Sequence, residues 1–103
     1  MSPGLEVCNY LDGRLQPPAG NEWLELHEPA TGRPSGRVAD SGAADLDQAI
    51  AAARRAWPAW RAAGAETRAR WLHALADLVE TRAEELAAAE SDDTGKPLSL
   101  ARS

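Results

Sequence analysis

Glu90-Ser91-Asp92-Asp93-Thr94-Gly95-Lys96-Pro97 is the stretch on which the reading of this chain turns. Gly95 suits the left-handed position just past a helix end, where a side chain is penalised. Pro97 cannot continue a helix and follows as a stop signal. A helix therefore closes here, and its body must lie upstream. From about Ala65 to Asp92 no Pro or Gly intervenes, and Trp71, Leu72, Leu75, Leu78, Val79 and Leu86 recur at helical spacing. Arg68, Arg70, Asp77, Glu80, Arg82 and Glu84 fall between them. This predicts one amphipathic helical region over 65–92.

Further upstream, Gly64 marks the boundary with an earlier helix. Ile50, Ala53, Ala56, Trp57 and Trp60 form its apolar stripe, with Ser41 as the expected N-cap and Asp45 and Asp47 early, where the helix dipole favours acids. Pro58 is expected to end or kink it. Leu98 to Ser103 are again helix-compatible.

Before residue 41 the chain changes character. Asn9-Tyr10-Leu11-Asp12-Gly13-Arg14-Leu15 reads as a hairpin, because Asp-Gly fits a two-residue turn with positive φ at both positions. Pro17 to Asn21 is a loop. Trp23-Leu24-Glu25-Leu26-His27 alternates with period two and reads as a strand, with Trp23, Glu25 and His27 on one face. Glu28-Pro29-Ala30-Thr31-Gly32 is a turn, and Arg37-Val38-Ala39 a short extended piece. The organisation is thus an N-terminal tail over 1–8, a hairpin and strand region over 9–40, and a helical region over 41–103. No internal repeat is present.

Composition bounds the function. With 103 residues the chain is one small domain at most. About half of its 44% hydrophobic content is alanine, with four Trp and no Phe, so it has little bulk for a core of its own. Such a segment leans on a larger body. The net charge of −5 argues against nucleic acid and anionic membranes as partners. The single cysteine, Cys8, rules out an internal disulfide and makes a Cys-based zinc site untenable. The first residues lack a basic and an apolar region, so no secretory signal is read there. Nothing approaches the ~18 apolar residues of a membrane span. A soluble, cytoplasmic protein is expected.

Three blocks together resemble the N-terminus of the NAD(P)-dependent aldehyde dehydrogenase superfamily. Asn9-Tyr10-Leu11-Asp12-Gly13 matches its opening N-[YF]-[IL]-[DGN]-G strand and turn. Glu28-Pro29-Ala30-Thr31-Gly32 is similar to its N-P-[AS]-T-G turn, with Glu28 where Asn is usual. Glu90 to Pro97 is similar to its E-x-x-D-T-G-K-P. Asp45 to Arg54 looks like the family's first helix, Arg68 to Leu72 and Glu84 to Ala87 like the next, and Trp57 stands where Phe is usual. The tail Leu98-Ser99-Leu100-Ala101-Arg102-Ser103 is reminiscent of the muconic semialdehyde dehydrogenase-like branch. The resemblance implies an α/β fold in the parent, with short N-terminal β-strands followed by two or three α-helices in this segment.

The resemblance also implies a reaction. A cysteine thiolate attacks an aldehyde, hydride leaves to NAD or NADP, and water hydrolyses the thioester to a carboxylic acid. A glutamate is the base, and an asparagine helps form the oxyanion hole. In the family these groups and the cofactor-binding strands lie further along the chain. Cys8 precedes the first family motif and is read as a structural thiol. Gly32, Gly36 and Gly42 do not form a G-x-G-x-x-G fingerprint, and His27 and His73 have no ligand spacing. No catalytic or cofactor-binding residue is therefore assigned, and the chain alone is expected to be an inactive fragment that binds no NAD. One family site does reach this segment. A Na+ or K+ ion is held by backbone carbonyls carried over to Leu26 and His27 and by the carboxylate of Asp93, hard oxygen donors for a hard cation. The implied partners are the remainder of the dehydrogenase chain and, in the parent, further copies in a homo-oligomer. The alternative reading is a stand-alone helical interaction module without catalytic activity.

Overall fold

Asp12 and Gly13 both adopt positive φ, +53° and +76°, the turn geometry that joins β2 (Asn9–Leu11) to β3 (Arg14–Gln16). The two strands pair antiparallel, with Tyr10 opposite Leu15. The computed structural model describes residues 4–103. Within the expected tail, Leu5–Val7 forms a further strand, β1. The first three residues of that tail, and the reading of a leaderless start made on them, lie outside the described residues.

A second sheet has the order β1-β5-β4, with β4 at Trp23–His27 and β5 at Pro34–Ala39. β4 runs antiparallel to β5 and β1 parallel to it, with Glu25 opposite Arg37 and Glu6 beside Arg37. Facing residues share a side of the sheet. Glu6, Trp23, Glu25, His27 and Arg37 therefore occupy one face, and Leu5, Val7, Leu24, Leu26 and Val38 the other. On the polar face Arg37 stacks on the Trp23 ring at 4.0 Å and donates to Glu6 at 2.6 and 3.0 Å. β1 was missed in the sequence because a three-residue edge strand is too short for period-two alternation to register. Its place depends on Gly36, where any Cβ would strike the Leu5 carbonyl.

Helix α1 spans Ala43–Ala62. Its N-cap is Gly42 and not the expected Ser41, whose hydroxyl instead donates to Asn9 Oδ1 at 2.7 Å. The capping work falls to Asp45, which accepts from the Gly42 N–H at 3.1 Å. Pro58 lies inside α1 and does not end it. It forfeits one bond to the Arg54 carbonyl, but its fixed φ is helical. The following turn is held at its end by Arg68, whose guanidinium donates to the Trp60 and Arg61 carbonyls at 3.3 and 3.2 Å.

The expected helical region over 65–92 is two helices, α2 (Ala65–Thr81) and α3 (Ala83–Thr94). The break is one residue, Arg82, at φ −108° and ψ 20°. Neither Gly nor Pro signals it. Thr81 donates its hydroxyl back to Asp77 O at 2.8 Å, and Arg82 turns to bind Glu85 at 2.9 and 2.6 Å. A four-residue α4 (Leu98–Ala101) follows, pinned by Arg102 on Glu84 at 2.9 Å. The strands-then-helices order is as expected, with five short strands and four helices among the described residues.

Ala87 is the one buried hydrophobic residue of the described chain, and no side chain is wholly enclosed. The apolar stripes are bare: Trp71 is 49% exposed, Leu75 57% and Leu78 60%. The chain is a slab of 49 × 37 × 15 Å with a radius of gyration of 17.0 Å, against about 13 Å for a compact domain of this length. Its accessible surface of 7805 Å² exceeds by about 2,200 Å² the ~5,600 Å² expected of a compact 11.0 kDa protein. The secondary elements are in place, and almost nothing is enclosed between them.

Candidate functional site

Two of the motifs meet at the end of α3. Gly95, at φ +76°, closes α3 in the left-handed conformation and donates its N–H to Ser91 O at 2.9 Å. Around it Glu90, Ser91, Thr94 and Lys96 bond to one another at the helix end. Ser91 donates to Lys96 O at 2.7 Å, Thr94 to Glu90 O at 2.8 Å, and Lys96 N–H to the Thr94 hydroxyl at 3.2 Å, while Lys96 Nζ pairs with Glu90 at 3.1 Å. The second motif is a turn built on Glu28. Its carbonyl accepts from Gly32 N–H at 2.7 Å and its carboxylate from the Thr31 hydroxyl at 2.7 Å, so glutamate supplies a side-chain acceptor to this turn. A Cβ on Gly95 would stand 3.5 Å from the Pro29 ring. The helix end and the turn therefore lie side by side, with room for one Cβ between them.

Leu26 is half-buried and His27 exposed at the end of β4, just before that turn, and a register shift falls between them. His27 Nε2 lies 2.8 Å from Glu25 Oε1. Asp93 is exposed in the last turn of α3, and its carboxylate has no hydrogen bond or ion pair among the described residues. The segments that carry Leu26, His27 and Asp93 thus approach each other at Pro29 and Gly95. No cluster of three His, Cys, Asp or Glu side chains forms among the described residues, so a cation here would depend on main-chain oxygens. Cys8 is half-buried, its thiol 3.8 Å from Glu6, a carboxylate already engaged by Arg37.

The residue that sequence reasoning undervalued is Asp45. It is 5% exposed, and it accepts from Ala19 N–H at 2.9 Å as well as from Gly42. It ties the loop after β3 to the start of α1. Its position in the first turn suggested only a dipole role; the contact across 26 residues had no local signal. Beside it a cleft of about 510 Å³ opens between β2 and α1, walled by Leu11, Ala43, Leu46 and Ala49. Of its polar side chains, Asp45 accepts from two amides and Asn9 Oδ1 accepts from Ser41, while Asn9 Nδ2 is buried with no hydrogen-bond partner among the described residues. At the Arg82 break, hydrogen bonding first and charge second hold the Glu85 carboxyl below the usual carboxylate range.

No arrangement of nucleophile, base and oxyanion donors exists among these residues. What they present is a scaffold with tight turns and bare apolar faces. The aldehyde dehydrogenase family profile matches residues 16–103, and the chain belongs to the aldehyde dehydrogenase family. Within it, the chain is 40% identical over 98 residues to human 2-aminomuconic semialdehyde dehydrogenase, covering 95% of this chain and 20% of that protein. It is 44% identical over 90 residues to acetaldehyde dehydrogenase 2 of Cupriavidus necator, covering 87% of this chain and 18% of that one. The crystal structure of PnpE in complex with nicotinamide adenine dinucleotide superposes with a TM-score of 0.92 at 42% identity, over 95% of this chain and 20% of that one. The chain spans about a fifth of the length of the relatives it matches. No described helix is long and apolar enough to cross a membrane.

Proposed function

We propose that this chain is the N-terminal segment of a cytoplasmic, homo-oligomeric aldehyde dehydrogenase that oxidises an aldehyde to a carboxylic acid with NAD or NADP, and that it contributes scaffold and no catalytic group. The carrying observation is the pairing of a whole-chain match to a fifth of a dehydrogenase with a core reduced to Ala87. The nicotinamide cofactor supplies hydride acceptance when bound to the parent. This segment's own residues build the strand ribbon and the helices beside it. A semialdehyde of the muconic type is the substrate class favoured by the similarity to 2-aminomuconic semialdehyde dehydrogenase. A stand-alone helical module is disfavoured, because the likeness runs through the strands as well as the helices.

A chimaera tests this. The Cupriavidus acetaldehyde dehydrogenase, with this chain in place of its matched segment, is expected to keep acetaldehyde-dependent NAD(P)H formation within about tenfold of the host. The 103-residue chain alone is expected to form none. An inactive or insoluble chimaera, or turnover by the chain alone, overturns the reading.

The same reading gives the end of α3 a second task. With Leu26 and His27 through their carbonyls and Asp93 through its carboxylate, it contributes to a Na+ or K+ site. The approach of Gly95 to Pro29 supports this, as does the exposure of Asp93. In the chimaera, Asp93→Ala is expected to remove a difference in melting temperature between Na+ or K+ and Cs+. Equal melting of the unsubstituted chimaera in all three salts removes the site.

A further inference from the structure

The bare stripes on α1 and α2 form one surface. On α2, Trp71, Leu75 and Leu78 recur at spacings of four and three, so they share a face, while Glu66, Arg70, Asp77 and Glu80 take the opposite one. On α1 the corresponding stripe ends at Trp57 and Trp60. Trp60 stacks on Trp71, ring centroids 5.4 Å apart at 27°. The stack joins the two stripes into a continuous apolar band, with all of these residues more than a third exposed.

Three observations say what covers it. The excess surface of about 2,200 Å² is larger than the ~800 Å² per partner of a specific interface. The conformation is the one a segment adopts inside a chain five times longer, so no rearrangement is needed to meet that partner. Apart from the Trp60–Trp71 stack, the elements are held by contacts that leave the band's side chains uncovered: the Arg68 cap on α1, the Arg102–Glu84 pair and the strand ladders.

We infer that the band is a docking surface for the complementary four fifths of an aldehyde dehydrogenase chain, and that it operates without a covalent link. Residues 1–103 then bind that remainder in trans as a preformed piece. This rests on the proposed function, and its test separates the two. The two parts of the chimaera are co-expressed as separate chains, with a tag on the remainder only. The 103-residue chain is expected to co-purify in equimolar amount and to restore acetaldehyde oxidation. Leu78→Asp is expected to lower recovery of the complex at least tenfold, because a carboxylate replaces an apolar anchor in the contact. Glu80→Gln, on the far face, is expected to leave recovery unchanged. Since Leu78 is exposed in this chain, circular dichroism of the isolated Leu78→Asp chain should match the parent. An active linked chimaera whose unlinked parts fail to associate, or remain insoluble together, overturns the inference and leaves the function standing. Undiminished recovery with Leu78→Asp, or self-association of the 103-residue chain in preference to the complex, also overturns it.

Discussion

Asp45→Ala is the substitution with the most calculable effect. The carboxylate accepts two main-chain N–H bonds, from Ala19 at 2.9 Å and Gly42 at 3.1 Å, in a site 5% exposed. A hydrogen bond to a charged group contributes about 1.5–3 kcal/mol net, and a donor left buried and unpaired costs a similar amount. The Ala19 and Gly42 amides lie near the surface, so water reaches them once the side chain is gone, and the lower figure applies. Two bonds lost then amount to ~3 kcal/mol. With a urea slope of about 1–3 kcal/mol per molar, the midpoint should fall by ~1–3 M. Asp45→Asn keeps one acceptor oxygen but loses the charge, and should show about half that shift. The assay is urea denaturation followed by far-UV circular dichroism, with hydrogen exchange at the Ala19 amide as the local readout. A midpoint change below ~0.3 M for the alanine variant would refute the account. So would an Ala19 amide as protected in the variant as in the parent.

Three further outcomes follow from single residues. Gly36→Ala sets a Cβ against the Leu5 backbone, so β1 should detach while β4 stays paired; loss of exchange protection in Glu6 and Val7 alone is the expected pattern, and equal loss in β4 contradicts it. Gly95→Ala has room, its Cβ 3.5 Å from Pro29, so only the left-handed backbone is penalised, by about 1 kcal/mol in a melting experiment. A loss above ~3 kcal/mol would point to a steric role instead. Glu85 has a lowered pKa in the fold, so its contribution is present above the ordinary glutamate value of about 4.3 and is lost as pH falls through the lowered range. The difference between the parent and Glu85→Gln should therefore shrink in acid; a pH-independent difference rejects the assignment.

What the sequence disclosed was whatever has a local cause. The Asp12-Gly13 turn, the Gly95 helix end and the alternation of Trp23 to His27 each follow from the residues involved, and the structure has all three. The features that did not show have causes far along the chain or none in composition. β1 exists because β5 lies beside it, Ser41 is drawn to Asn9, and Asp45 to Ala19. Arg82 breaks a helix through a single ψ angle in a run without Gly or Pro. Pro58 does not end α1, since one missing N–H is tolerated where Arg68 secures the turn beyond it. Leu26, His27 and Asp93 were proposed as cation ligands by resemblance alone, and only the structure brings their segments near each other, at Gly95 and Pro29.

The 15 Å thickness of the slab has a consequence for biosynthesis. One layer of elements has no inside. If, as proposed, this segment opens a parent chain about five times as long, it leaves the ribosome with roughly 400 residues still to be made. At ~5–20 residues per second its tryptophans and leucines wait about 20–80 s for their cover. During that interval the ion pairs, the caps and the two short sheets are all that keep the segment in shape, and its apolar band is open to chaperones.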